Sequence, residues 1–166
     1  MSRVSRLLRL YWDAGCFIAL FNWEATTTQE RLEALKAAYE DMLLGHLKIV
    51  TSAMFRAEVF GSSFSGDAEK IYNDFLACKN FEIVEIRTEM YELVGEMRQK
   101  CLGAKPKQNI KTPDAIHMLM GNESKCDEIW TLDENLINKG KAGLIGDVRV
   151  CLPYLSQMRL DLDLNQ

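Results

Sequence analysis

The chain has no Cys-x-x-Cys pair, no apolar run of membrane-spanning length, no surplus of positive charge and no internal repeat. Each absence removes a class of protein. The five cysteines (Cys16, Cys78, Cys101, Cys126, Cys151) are odd in number and widely spaced. A structural zinc site is therefore not indicated, and at least one thiol stays unpaired within a monomer. No stretch approaches the roughly 20 apolar residues that a membrane span needs. The opening "MSRVSRLLRLYWDAGCFIALF" has early arginines and later apolar residues, but Arg9 and Asp13 interrupt it. No apolar core of signal-peptide length remains. The expectation is a protein without membrane association, in a reducing cytoplasm. A formal net charge of -4 and a pI near 5.3 argue against holding nucleic acid by bulk charge. They leave room for a local basic patch beside an acidic metal site.

What is present is ordinary in bulk. At 166 residues, 48% hydrophobic and 27% charged, the chain is expected to form one domain with a full core. Residues 7–152 would form the body and 153–166 a C-terminal tail. Five short β-branched or aromatic segments read as buried strands: 8–12, 47–51, 81–86, 128–132 and 147–152. Helical patterns lie between them. Residues 27–44 space Leu32, Leu35, Ala38, Tyr39, Met42 and Leu43 at three and four, ending at Gly45. Residues 53–61 read as a short helix ending near Gly61, and 66–79 place Ile71, Phe75 and Cys78 on one face. Residues 88–102 do the same for Tyr91, Val94, Met97, Arg98 and Cys101. Thr112, Pro113 and Asp114 read as a cap, a first-position proline and a first-turn acid of a helix stopping near Gly121. Strands alternating with helices predict an α/β fold, three layers α/β/α around a parallel sheet of four to five strands. The segment "GAKPKQNIK" (103–111) reads as an exposed basic loop.

Acids recur at the joints of this framework. Asp13 ends the first strand, in "RLYWDAGCFIAL", and Asp133 ends the fourth, in "EIWTLDENL". Asp114 opens the helix before the fourth strand, and Glu58 lies in the helix after the second. Ligand sites in parallel sheets form beyond the carboxyl ends of the strands. The topology brings Asp13, Asp114 and Asp133 to that edge, while the direction of Glu58, two turns into its helix, stays open. Facing carboxylates repel or take up protons unless a cation sits among them. Oxygen ligands without His or Cys favour Mg²⁺ or Mn²⁺. The pattern points to metal-assisted phosphodiester hydrolysis. Each acid also has a plain structural reading. Asp13 and Asp133 could cap helices, Asp114 is favoured by the helix dipole, and Glu58 could be a solvated glutamate.

In these contexts the chain resembles a known family. "LYWDAGCFIALF", "TSAMFRAEVF", "KTPDAIHMLM" and "IWTLDENL" are similar, in order and setting, to the four acidic motifs of PIN domains. The resemblance covers about residues 7–152. It implies a three-layer nuclease that cuts RNA, or less often DNA, with Mg²⁺ or Mn²⁺. It implies further a kinship with VapC-type toxins, ribonucleases held inactive by an antitoxin and usually homodimeric. By motif, Asp13, Glu58, Asp114 and Asp133 would be both the catalytic and the metal-binding set. Thr131 matches a hydroxyl residue of the family's site. Arg56, Lys105, Lys107 and Lys111 are candidates for substrate phosphates, as are Lys139 and Lys141, with plain solvation as the alternative for each. Gly15 departs from the pattern, which often has Ser or Thr there. His117 is read as packing and His46 as part of a turn. Trp12, Trp23 and Trp130 are read as core.

Other readings remain. An aspartyl-nucleophile phosphatase would need a second acid where Gly15 stands. A PIN-fold binding module that cuts nothing, or a non-toxin nuclease of RNA processing, would share the same framework.

Overall fold

A computed structural model describes residues 6–22, 27–60 and 66–155. The readings made for Trp23, Gly61 and residues 156–166 fall outside the described residues. In chain order the elements are β1 (Leu8–Trp12), α1 (Ala14–Asn22), α2 (Gln29–Leu44), β2 (Leu47–Ser52), α3 (Met54–Phe60), α4 (Gly66–Ala77), β3 (Phe81–Val84), α5 (Met90–Gly103), α6 (Thr112–Glu123), β4 (Glu128–Trp130), α7 (Glu134–Lys141) and β5 (Arg149–Cys151). All five strands pair in parallel, in the order β3-β2-β1-β4-β5. The expected α/β sheet flanked by helices is present, with five strands.

Period-two alternation explains the layers. Leu10, Trp12, Ile49 and Trp130 point to one face, where α1, α2 and α4 supply Phe17, Phe21, Leu35, Met42 and Phe75. Tyr11, Val50, Ile129 and Val150 point to the other, where α5, α6 and α7 supply Val94, Ile116, Leu119 and Leu136. Both faces are covered, so the strands read as nearly continuous apolar runs. Phe17 is the hub of the first layer, with ring centroids 5.2 Å from Trp12, 4.7 Å from Phe55 and 5.2 Å from Phe75. Full burial of each such ring contributes about 1.5–3 kcal/mol.

The helix boundaries follow the sequence with informative exceptions. Thr28 caps α2 through the Arg31 amide, and Gly45 ends it in the left-handed conformation at φ 84°. Leu43, placed on the buried face by its spacing, is exposed, and so is Tyr91 of α5, where Met90 turns inward instead. The α6 cap is Lys111 rather than Thr112, which is already helical. Gly121 does not stop α6, which runs on to Glu123. A Cβ there would lie 2.6 Å from Ile129 and 3.1 Å from Tyr11, so this glycine lets α6 press on the sheet. Among the described residues, no helix is long and apolar enough to cross a membrane.

Candidate active site

β1 gives way to α1 at Asp13. Its backbone N–H extends the ladder to the Trp130 carbonyl at 3.2 Å. Its Oδ1 accepts the Cys16 N–H at 3.0 Å, the geometry of a helix N-cap. Gly15 permits this fold-back, since a Cβ on residue 15 would stand 3.2 Å from Oδ1. The carboxylate is buried. Burial pushes its pKa up, and hydrogen bonds from Thr131 and Cys16 oppose that rise.

Asp133 repeats the device at the exit of β4. Its Oδ1 accepts the Asn135 N–H at 2.8 Å and caps α7. Its own N–H donates to Thr131 Oγ1 at 3.1 Å. Thr131 is fully buried and Asp133 exposed. Both aspartates are therefore caps, as the plain reading held. A cap occupies one carboxylate oxygen and leaves the second for other work.

Asp114 lies in the first turn of α6, half-buried between the other acids. Burial raises its pKa, the charges of Asp133, Asp13 and Glu58 raise it further, and Lys111 opposes them. The other three acids thus all act on Asp114.

The direction of Glu58 is set by a residue that sequence reading gave to packing. His117 is buried, at 2% exposure. Its Nε2 lies 2.7 Å from Glu58 Oε2 and its Nδ1 2.9 Å from the Tyr11 hydroxyl. The Ser52 amide donates to that hydroxyl at 3.1 Å. Counting donors fixes the direction of the chain. Glu58 as a carboxylate can only accept, so Nε2 carries the proton of the neutral imidazole and donates it. Nδ1 then accepts, with the Tyr11 hydroxyl at 2.9 Å and Ser52 Oγ at 3.4 Å within its reach. Burial pushes the Tyr11 pKa up, so its proton stays available. The signal in the sequence was His117 one turn after Asp114; what it lacked was the partners.

Two hollows meet at Asp114. A small one, about 50 Å³, is lined by Asp13, Ala14, Gly15, Glu58, Asp114, His117 and Leu136. A groove of about 370 Å³ runs beside it, lined by Gln108–Lys111, Asp114, Asp133, Asn135, Leu136 and Lys139. Another hollow, with Leu8, Ala37, Asp41, Leu47 and Tyr154 in its wall, contains none of the acids. Of the basic candidates, Lys111 lines the groove, while Arg56, Lys105, Lys107 and Lys141 are exposed and line neither hollow at the acids. Lys139 is buried, at 6% exposure, not solvated. The loop before α6 is also less free than its composition implied. The Cys101 carbonyl accepts the Ala104 and Gln108 amides, Arg98 Nε donates to the Ile110 carbonyl, and Ile110 is buried. His46 sits exposed beside Gly45 and faces Asp41, and Trp12 and Trp130 are core.

The donors fit a hard divalent cation by chemistry: carboxylates without Cys among them, two of them with raised pKa. Their spacing is open. Among the described residues, no three His, Cys, Asp or Glu side chains form a ready-made coordinating group.

No family model matches the chain, and no curated protein matches it. Among solved structures, its fold is similar to that of a chain in the crystal structure of VapBC2 from Rickettsia felis bound to a DNA fragment from their promoter. The TM-score is 0.60 and the identity 15%, over 87% of this chain and 98% of that chain. A likeness at that identity concerns the fold, an α/β architecture consistent with a PIN-like domain.

Proposed function

We propose that this protein is a metal-dependent endoribonuclease of the PIN type, hydrolysing RNA phosphodiester bonds with Mg²⁺ or Mn²⁺. The observation that carries the reading is the meeting of Asp13, Glu58, Asp114 and Asp133, from four separate segments, at the carboxyl edge of the sheet around Asp114. Asp13 and Asp114, with Glu58 and Asp133 beside them, would hold the cation. When bound, it supplies Lewis-acid stabilisation of phosphate charge and a more acidic water. The chain's own contribution is orientation. Helix caps fix Asp13 and Asp133, Thr131 holds the backbone of Asp133, and His117 aims Glu58 into the hollow. Lys111 places a cation where substrate phosphate would lie.

The toxin role is part of the same proposal. The similar fold occurs in a complex named as VapBC2, which supports a protein antitoxin as partner here, with a homodimer as the expected assembly. A second reading, a PIN-fold binding module, is favoured by one observation: both aspartates are already engaged as caps and the donors are not drawn together.

One experiment separates the two. Purified, partner-free protein is incubated with a mixed RNA pool in Mn²⁺, in Mg²⁺ and in chelator, alongside Asp114→Asn. Metal-dependent cutting that the variant loses supports the nuclease. Folded protein that cuts in none of these conditions supports the module.

A further inference from the structure

Lys139 lies among apolar residues of α7 and is 6% exposed. Its Nζ has a single protein partner among the described residues, the Asn135 carbonyl at a long 3.4 Å. Every Lys–carboxylate pair within 4.0 Å among these residues involves another lysine. The Lys139 stem is buried, its ammonium has one weak protein acceptor for three donors, and an anion in the groove would complete it. Its side chain lines the groove that adjoins the acids. Cβ atoms on a helix lean toward its N-terminus, so this lysine reaches back toward the Asp133 end of α7.

The rest of the groove suits the same ligand. Lys111 also lines it, and Gln108, Asn109 and Asn135 offer amide donors and acceptors. Asp114 and Asp133 are in the same lining, and Asp114 is shared with the small hollow. Volume decides the size: about 370 Å³ is room for about one nucleotide unit and not for a folded peptide.

We propose that this groove is a backbone-phosphate subsite for single-stranded nucleic acid, with Lys139 as its buried anchor and Lys111 as its exposed partner. It would seat the nucleotide next to the scissile phosphate. The proposal rests on the nuclease reading and adds where the strand lies.

The test is binding without cleavage. A fluorescein-labelled single-stranded RNA oligonucleotide is titrated with wild-type protein in chelator across a salt series. Lys139→Met, Lys111→Gln and the distant exposed Lys79→Gln are compared. Lys139→Met should bind about tenfold more weakly, the loss of one charge-assisted contact. Its salt slope should fall by about 0.7, one phosphate fewer on a single strand. Lys111→Gln should move in the same direction and Lys79→Gln should not move. Melting curves report folding, and if Lys139→Met is unfolded the exposed Lys111→Gln decides alone. Folded variants with wild-type affinity and slope overturn the subsite, provided the wild type still binds and cuts RNA. A wild type that neither binds nor cuts overturns the nuclease reading together with the subsite. Competition by a mononucleotide as strong as by the oligonucleotide overturns it in favour of a small-anion site.

Discussion

Replacing His117 by leucine removes the centre of the chain that joins Ser52, Tyr11 and Glu58. Two effects set the size of the loss. The buried Tyr11 hydroxyl keeps its amide donor but loses its ring acceptor and is left with the Ser52 side chain, which costs about 1 kcal/mol. The 2.7 Å bond to Glu58 is charge-assisted and partly solvated, so its loss adds about 1 kcal/mol. His117→Leu should therefore destabilise by roughly 2 kcal/mol. Tyr11→Phe alone leaves the Ser52 amide without its partner and Nδ1 with only Ser52 Oγ at 3.4 Å, and should cost about 1–3 kcal/mol. The double variant removes both sides of the same bond. Its cost should fall short of the sum by about 1–2 kcal/mol. Urea unfolding of the four proteins measures the cycle, with unchanged m-values as the check that two-state behaviour holds. Costs that add to within about 0.5 kcal/mol would refute a shared hydrogen-bond chain. Activity gives an independent reading. His117→Leu should lower metal-dependent cleavage about 10–100-fold, as loss of a residue that orients a ligand does, with a wild-type value pointing to packing alone.

The remaining expectations concern charge and close packing. Asp114→Asn should melt a few degrees above wild type in chelator, because it relieves repulsion from Asp133, Asp13 and Glu58. Saturating Mn²⁺, at about 100 times its Kd, should stabilise wild type by about 2.7 kcal/mol and the variant much less; equal metal shifts would sink the assignment. The pKa values of Asp13 and Asp114 are raised from 3.8, so the folded state holds these protons more tightly than the unfolded one. Metal-free stability should then rise as pH falls through the raised values toward 3.8. Glu82, lowered from 4.5 against its burial by Arg9 and Lys48, and Asp74, lowered from 3.8 by Tyr39 and Lys70, oppose this as pH falls below those values. Asp13→Asn keeps a good cap and should flatten the rise, which thermal melts from pH 7 to 4 would show. Gly121→Ala should cost about 1–3 kcal/mol by overpacking on Ile129 and Tyr11, and a stabilised variant in urea would refute the close approach. Gly15→Ser should lower cleavage rather than raise it, because its Cβ crowds the buried Asp13 Oδ1 at 3.2 Å.

The strands and most helices were legible because local chemistry and global fold agree there. Thr28 and Gly45 carry the ends of α2, and alternation through Leu10, Tyr11 and Trp12 already separates two cores. The direction of Glu58 and its bond to His117 were not legible. Their bond spans 59 positions and that of His117 to Tyr11 spans 106, and only the finished sheet brings those partners together. The acids at the strand exits could be read two ways, and the geometry keeps both. A strand-to-helix junction needs an acceptor for the amides of the first helical turn. An aspartate meets that need with one oxygen, so selection for a cap and selection for a cation ligand converge on the same residue.

Lys139 shows the opposite case, a residue named as a phosphate candidate whose burial was also legible and was not read. In "ENLINKGK", Leu136 and Ile137 mark the buried side of the short helix. Position 139 follows Leu136 by three, and residues three apart share a face. Gly140, four after Leu136, lies so close to the sheet that a Cβ would stand 2.9 Å from Val150. The periodicity that predicts a buried leucine therefore predicts a buried position 139 as well. The solvated alternative for this lysine rested on residue type, and type lost to period. A long methylene stem can occupy an apolar face only if its ammonium finds a polar outlet. Here the open side is the groove beside Asp114 and Asp133, so the residue that breaks the apolar pattern of α7 points to where an anion is expected.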